Sequence, residues 1–540
     1  MVMDAFERLR PVGRLERYST ARHDLRFYLN AAVTASYTLP DRCSPPLPLK
    51  HYIYEACRTV VGLHPILSAI PVDEHTPHPQ FVRLPEINLD RCVSFHERRP
   101  VVLEPDPSVD ATAASTSLGW DARGDTGTGT GTDTDTDTDL DELLTTQHNM
   151  AFAPPHPFWR LCVLTDAARP HCFTAAFVFH HAIGDGTSGM AFHRAFHQAL
   201  SQAVSVSPVS DQTGTGTGTG TGPATATAII PSPSTALLPS VEALHAMPIS
   251  IIHLVTILFK EKVWSRRDPG LWTGSKISVP LDNRVRHIAF APSTTRGFID
   301  ACRTHGTTVT AALQTLVAGV LFSHLPAHTF TALKCAGAIS MRRWLPGIID
   351  DNSMGVFVQD LSEDYSRADF QTGRLPWAEA KRSRDTITHV LSLEGRNAGP
   401  NLLRYVNDYQ QELFLSKVGK ERQSSFEVSN LGAFRRTTQS KTLESSRSQS
   451  GSGSGTDVEI GRMVFTQSAN VAGSAFEVSV VSGEDGCLAL GFSWQKGVVE
   501  AGLMDEVING VQEEVIDVAV NGVEEEVIRV GGSTGPDPEP

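Results

Sequence analysis

Two adjacent histidines, His180 and His181, lead into Ala182-Ile183-Gly184-Asp185-Gly186 directly after the apolar run Cys172–Phe179. An imidazole with its ordinary pKa of about 6.5 is largely neutral at pH 7 and can take a proton from a nucleophile. At the end of a strand, facing a cleft, it is placed for general-base work. Gly184 and Gly186 turn the chain there. Asp185 has two options: reaching back to the imidazole, or pairing with a distant arginine and fixing the turn. Two further readings stay open on the residues alone. The chain holds 20 histidines, and an isolated histidine is commonly a surface or satisfied core residue. His-His-Asp also offers metal-ligand types, but neighbouring side chains of an extended chain point to opposite faces, and no Cys/His cluster lies nearby.

The elements around this string must hold it still. His51–Gly62 reads as an amphipathic helix, and Phe158–Leu164 and Cys172–Phe179 as buried strands, short, apolar and aromatic. Thr187–Leu200 reads as a helix with Thr187 as N-cap. The second half repeats the mixture: strand Val285–Ala291, helix Thr307–Leu325 capped by Thr307, strand Leu333–Ser340, helices Ala378–Leu393 and Asn401–Leu415, then strands Phe426–Ser429, Ala475–Val481 and Cys487–Trp494. This predicts an α/β fold of mixed sheets in two lobes. The first spans residues 1–222, with a low-complexity insertion at about 104–142. A Pro-rich crossover at 223–248 leads to a second lobe at 249–504, with a Ser/Gly insertion at about 437–456. Tracts of alternating Thr with Gly or Asp, and of Ser with Gly, supply no apolar face and read as solvated loops.

With 540 residues and 40% apolar composition, the chain can bury one large core or two ordinary ones. Its net charge of −14 argues against nucleic acid as a partner. Residues 121–142 hold eight acids and one arginine, and 505–540 hold ten acids and one arginine, so the body is near neutral and the acidity belongs to a loop and a tail. The tail repeats NGVQEEVI as NGVEEEVI and reads as a solvated helical appendage. Eight scattered cysteines without a CxxC pair suit a reducing compartment. The charged start, MVMDAFERLR, does not read as a signal peptide. Ile249–Phe259 is the longest apolar run; a membrane span needs about 20 residues, so it reads as a buried or interfacial helix, core foremost. There is neither GxGxxG after a strand nor GxxxxGK[ST], which removes nucleotide-binding readings.

HHxxxDG after an apolar strand resembles the hallmark of the CoA-dependent acyltransferase superfamily, which includes chloramphenicol acetyltransferase, the plant BAHD enzymes and the condensation domains of peptide synthetases. Arg10–Tyr18 (RPVGRLERY) with Ser19-Thr20-Ala21-Arg22 resembles the N-terminus of fungal alcohol acetyltransferase-like proteins. His64-Pro65-Ile66-Leu67 resembles the superfamily's HPxL, and Pro157–Leu161 (PFWRL) its P-x-W-R-L strand. Ala338–Leu345 (AISMRRWL) resembles an N-x-R-like element and Val428–Gly432 (VSNLG) an S-N-x-G-like one. The likeness runs from about residue 8 to about 500, loop tracts excluded. The plant DFGWG is missing, and Ser340 stands where many relatives carry Asn.

The resemblance implies two lobes with a tunnel between them, acyl-CoA entering from one side and the acceptor from the other. It implies His181 as general base, without a covalent enzyme intermediate. Asp185 is expected to be structural, with Arg342 its partner; Gly186 to permit the close turn; His180 to pack behind the site. Ser429, Asn430 and Arg342 are expected along the tunnel near the CoA arm. Their plainer readings are an ordinary turn before Gly432 and a solvated basic pair at Arg342-Arg343. The implied reaction moves an acyl group, acetyl by default, from acyl-CoA to an alcohol, with no metal and no resident cofactor. The alternatives are an N-acyltransferase, a stand-alone condensation-type enzyme, and a catalytically silent relative that binds CoA or a hydrophobic ligand. The implied protein is a cytoplasmic monomer, with peripheral association with endoplasmic reticulum or lipid droplets known among relatives.

Overall fold

Cys172–Phe179 is apolar on both faces, and such a strand is stable only where both faces are covered. It lies at the centre of a five-stranded sheet ordered Glu459–Gln467, Ala31–Thr38, Cys172–Phe179, Trp159–Thr165, Val93–Glu97. All its pairs are antiparallel except the last. A second sheet of seven strands runs Val358–Ser366, Ala332–Ser340, Phe426–Ala433, Phe476–Ser482, Leu488–Gln495, Asn283–Phe290, Thr134–Asp135; its third strand pairs parallel with both neighbours. This computed structural model describes residues 6–40, 47–99, 134–135, 137–206, 227–263, 268–370, 375–436 and 457–531. The tracts at 213–222 and 445–455, and residues 126–133, lie outside them.

Each sheet carries its own core, and the mixed α/β, two-lobed fold follows. Helices Leu49–Leu63 and Gly186–Val206 close the first core against the sheet. Helices Pro292–Thr304 and Val309–His324 pack in the second. A smaller third core joins Phe27 from the first half to Met341, Phe357 and Phe414 from the second.

Contiguous lobe boundaries do not hold. Glu459–Gln467 belongs to the second half of the chain but pairs along Ala31–Thr38 in the first sheet, covering an edge that would otherwise expose unpaired backbone groups. In return Thr134–Asp135 adds to the second sheet.

Other departures have local causes. The acidic stretch ends in a helix, Thr138–His148. Asp137 caps it by accepting from Leu140 N at 3.1 Å, and Asp139 and Asp141 sit in its first turn, where the helix dipole favours negative charge. The cap of Gly186–Val206 is Asp185, not Thr187: its Oδ1 accepts from Ser188 N at 3.0 Å. Thr308, not Thr307, caps Val309–His324. The expected helix 401–415 is three short pieces, Gly399–Tyr405, Tyr409–Leu413 and Leu415–Lys417. Ile251–Val263 is not a core helix: Ile251 and Ile252 are 80% and 81% exposed, and Val255 and Phe259 are also open. Among the described residues no single helix is long and apolar enough to cross a membrane.

The acidic tail is also more than an appendage. Residues 505–531 continue the helix Ala501–Gly531, and Met504, Val507, Ile508, Val511, Val515 and Ala519 are buried in the second core. Their spacing of three and four residues makes one apolar stripe, while Asp505, Glu506, Glu513 and Asp517 are exposed. Val511→Asp is therefore expected to cost about 3–5 kcal/mol, the scale of an uncompensated buried charge. Glu513→Ala, on the exposed face, should stay within about 0.5 kcal/mol. Denaturation midpoints of the two variants check the contrast.

Candidate active site

The motif strand hands the chain to the site through a tight turn. His180 N donates to Phe158 O at 2.9 Å, and Ile183 N returns to His180 O at 3.0 Å. The turn ends at Asp185, which is buried and fully engaged. Arg342 grips it with Nη1 to Oδ2 at 2.7 Å and Nη2 to Oδ1 at 2.9 Å, and Phe357 N donates to Oδ2 at 3.0 Å. Arg342 also donates to Ser353 O at 3.1 Å. Burial alone would raise the Asp185 carboxyl, but the Arg342 charge and these hydrogen bonds hold it below the usual carboxylate range. Of the two options open to Asp185, the arginine is the one realised. Arg342 therefore lies behind the cavity wall and not along a tunnel. Its neighbour Arg343 lines the cavity instead, because residues 342–344 form a 3₁₀ turn that sends successive side chains to different sides.

Gly186 is the first residue of its helix, and its backbone does not need glycine's conformational freedom. A Cβ there would press on the Leu431 side chain of the facing lobe, so the glycine serves close approach rather than a turn.

His181 opens on a cavity of about 690 Å³ between the lobes. Its wall includes Thr187, Met190 and Arg194 after the motif, and Thr310, Ser340, Glu427, Ser429 and Asn430 from the other lobe. Nδ1 of His181 is sealed from solvent with no partner on another residue. The residue's own backbone carbonyl favours a protonated ring, and only Nδ1 can face that oxygen. With the proton on Nδ1, the Nε2 lone pair is free. Burial, then the charge of Arg22, push the imidazole pKa far below its ordinary value. Tyr28 packs edge-on to the ring at 5.6 Å between centroids, and the Arg22 guanidinium lies 3.8 Å over the Tyr28 ring.

Ser429 and Asn430 both reach the cavity, within a strand and not an ordinary turn. Ser429 Oγ donates to Glu427 Oε1 at 3.0 Å. Asn430 Nδ2 donates to Thr310 Oγ1 at 3.0 Å, and its Oδ1 accepts from Gly432 N, where φ is +77°. Tyr28, Glu427, Gln467 and Phe465 were not foreseen. Glu427 had a signal, since it sits two residues before Ser429 on the same face of a strand.

His180 points away from the cavity, into a cluster with His23 and Glu74. Glu74 Oε2 accepts from His23 Nδ1 at 2.8 Å, and His180 Nε2 lies 3.2 Å from Oε1, off the line of an ideal hydrogen bond. Three ligand types so close invite a metal reading, but the far nitrogens decide against it. His23 Nε2 accepts from Phe152 N at 3.1 Å, and His180 Nδ1 accepts from Ala182 N at 2.9 Å. Each neutral ring must then carry its proton on the nitrogen facing Glu74, where a metal would need a lone pair. The cluster is a carboxylate held between two imidazole donors. Although burial opposes it, those bonds keep Glu74 down at about 2.

Residues 130–513 match the alcohol acetyltransferase family. The chain belongs to that family. It is 35% identical over 519 residues to a probable alcohol acetyltransferase, crmB, of Aspergillus fumigatus, covering 92% of this chain and 97% of that one. Among solved structures it is similar to a trichothecene 15-O-acetyltransferase of Fusarium sporotrichioides, with a TM-score of 0.62, 13% identity and 94% and 95% of the two chains covered. A condensation domain of the calcium-dependent antibiotic synthetase gives 0.56 at 13% identity, covering 96% and 98%. These neighbours share the two-lobed fold, and this member of the family is an acyltransferase.

Two outcomes follow for stability. Arg342→Met leaves the buried Asp185 carboxylate unpaired and is expected to cost about 3–5 kcal/mol, read from the denaturation midpoint. Burial is the first cause holding His64, His148, His180 and His193 at about 4, 3, 4 and 4, with His181 also lowered. The unfolded chain takes up these protons at about pH 6.5, where the folded chain does not. The stability they contribute is complete above that pH and falls as pH drops toward 4. Glu477, whose carboxyl burial raises, works the other way, one group against five. The urea midpoint should be lower at pH 5 than at pH 7.

Proposed function

We propose that this acyltransferase moves an acetyl group from acetyl-CoA to an alcohol hydroxyl, with His181 as general base in a ternary complex. The observation that carries the reading is the His181 imidazole at a cavity walled by both lobes, with its Nδ1 sealed from solvent. The alcohol O–H gives its proton to Nε2 as its oxygen attacks the thioester carbonyl. The tetrahedral intermediate collapses, the C–S bond breaks, and the departing CoA thiolate recovers the proton from the imidazolium. An ester and free CoA leave, and the enzyme returns to its starting state.

The lowered pKa supports this role in one direction. A ring that resists protonation stays available as a base below neutral pH. Arg194, Arg343 and Arg435 bring guanidinium groups to the same cavity, which suits the phosphates of CoA. Apolar wall residues such as Met190, Leu361 and Leu391 suit the carbon skeleton of an acceptor.

The test is thiol release from acetyl-CoA in the presence of alcohols and amines. His181→Ala is expected to lower kcat by roughly 10²–10⁴-fold. Equal turnover by that variant would defeat the assignment. Because His181 is already neutral at pH 7, kcat/KM should show no acid limb centred at about 6.5, the value for an unperturbed imidazole. A bell with that limb would contradict the environment described for the ring.

A further inference from the structure

We propose that Glu427 reads a second hydrogen-bond donor on the acceptor, a hydroxyl or an ammonium set apart from the hydroxyl that is acylated. The inference rests on the acyltransferase reading above and extends it to the class of alcohol. Glu427 lines the same cavity as His181. Its Oε1 is fixed by two donors, Ser429 Oγ at 3.0 Å and Gln467 Nε2 at 3.2 Å. Gln467 is oriented in turn by Tyr28, whose hydroxyl reaches Gln467 Oε1 at 3.4 Å and whose ring packs on His181. The carboxylate is thus aimed, while its Oε2 has no partner among the described residues and is not sealed from the cavity.

A carboxylate in a protein wall is costly unless something pairs with it. Its neighbour cannot: Glu477 lies beside it in register on the adjacent parallel strand and is a second acid. Burial, then the Glu427 charge, raise the Glu477 carboxyl well above its ordinary range, so it offers Glu427 no cation to pair with. Arg435, one of the cavity's guanidinium groups, stands farther along the chain. From Glu427 the strand runs to Ala433 through an irregularity after Asn430, at most about 20 Å at 3.3 Å per residue, and Arg435 lies beyond it. A polyanion such as CoA is drawn to that arginine end and repelled at the Glu427 end. What remains for Glu427 is a donor on the acceptor.

The experiment compares 1-alkanols, α,ω-diols and ω-amino-1-alcohols of four to ten carbons as acceptors, with wild type and Glu427→Gln. The glutamine keeps an oxygen for Ser429 and Gln467 and removes only the charge. Wild type is expected to prefer a diol or amino alcohol of one chain length over the matching alkanol by tenfold or more in kcat/KM, and the variant to lose that preference. A wild type that turns over alkanols without any such preference overturns the proposal and leaves acyl transfer intact. So does a preference that survives the substitution, or a variant defect confined to KM for acetyl-CoA, which assigns Glu427 to the CoA arm. Thiol release with no acceptor at all, or release unaffected by His181→Ala, overturns the acyltransferase reading and this one with it.

Discussion

Asp185 comes from the first half of the chain and Arg342 from the second, and neither can be buried alone at acceptable cost. Together they form a bidentate pair, and the remaining capacity of the carboxylate is taken by Phe357 N and Ser188 N. A pair of this kind contributes modest net stability, because desolvation offsets most of the attraction. What it does supply is position. The loop Ser353–Phe357 closes on it through Ser353 O and Phe357 N, and Gly355 O accepts from Asp185 N at 3.2 Å. His181 sits four residues before this anchor, at the far end of a turn with no slack. The distance from the imidazole to the facing lobe is thus set by an interaction that never touches a substrate.

A second constraint is electrostatic. The walls around His181 contain a buried guanidinium, Arg22, stacked on Tyr28 and bonded to no carboxylate among the described residues, and a buried acid, Glu477. Their effects on the ring are not symmetrical. The Arg22 charge lowers the His181 pKa directly, while burial raises the Glu477 carboxyl. The base is therefore held neutral by its surroundings as well as by burial. Gly186 and Leu431 bring the two lobes into contact beside it.

The sequence made the site legible where local pattern and chemistry coincide. Cys172–Phe179 was readable to the residue because a continuous apolar run bounded by a glycine turn has one good structural solution. The pairing of Asp185 with Arg342 was readable only through the superfamily resemblance, since nothing local joins residues 157 positions apart. Misreadings came from context. Charge in Ala501–Gly531 drew attention from its apolar stripe. Asp137, Asp139 and Asp141 looked like loop because their value at a helix start depends on Leu140 and Leu144 being buried beneath them. Asn401–Leu415 has helical composition, but Pro400 and the Asp408 cap divide it. Ile249–Phe259 reads on hydropathy as a buried or interfacial helix, core foremost, and composition alone does not say which face a neighbouring lobe will cover.

The strand exchange was invisible for the same reason, yet the site depends on it. Glu459–Gln467 follows the Ser/Gly tract and ends at the residue that links Tyr28 of the first lobe to Glu427 of the second. Phe465, on the same strand, enters the cavity wall. Had this strand stayed with the lobe that contains its sequence neighbours, Tyr28 and Glu427 would have no shared partner, and Ala31–Thr38 would present an open edge. Register makes the link specific: Gln467 pairs with Ala31, three residues from Tyr28, and a slip of one would turn its amide to the other face of the sheet. The exchange therefore ties the orientation of the imidazole's neighbour to that of a carboxylate on the opposite wall. The lobes do more than bound the cavity; through one amide they set both of its chemical poles.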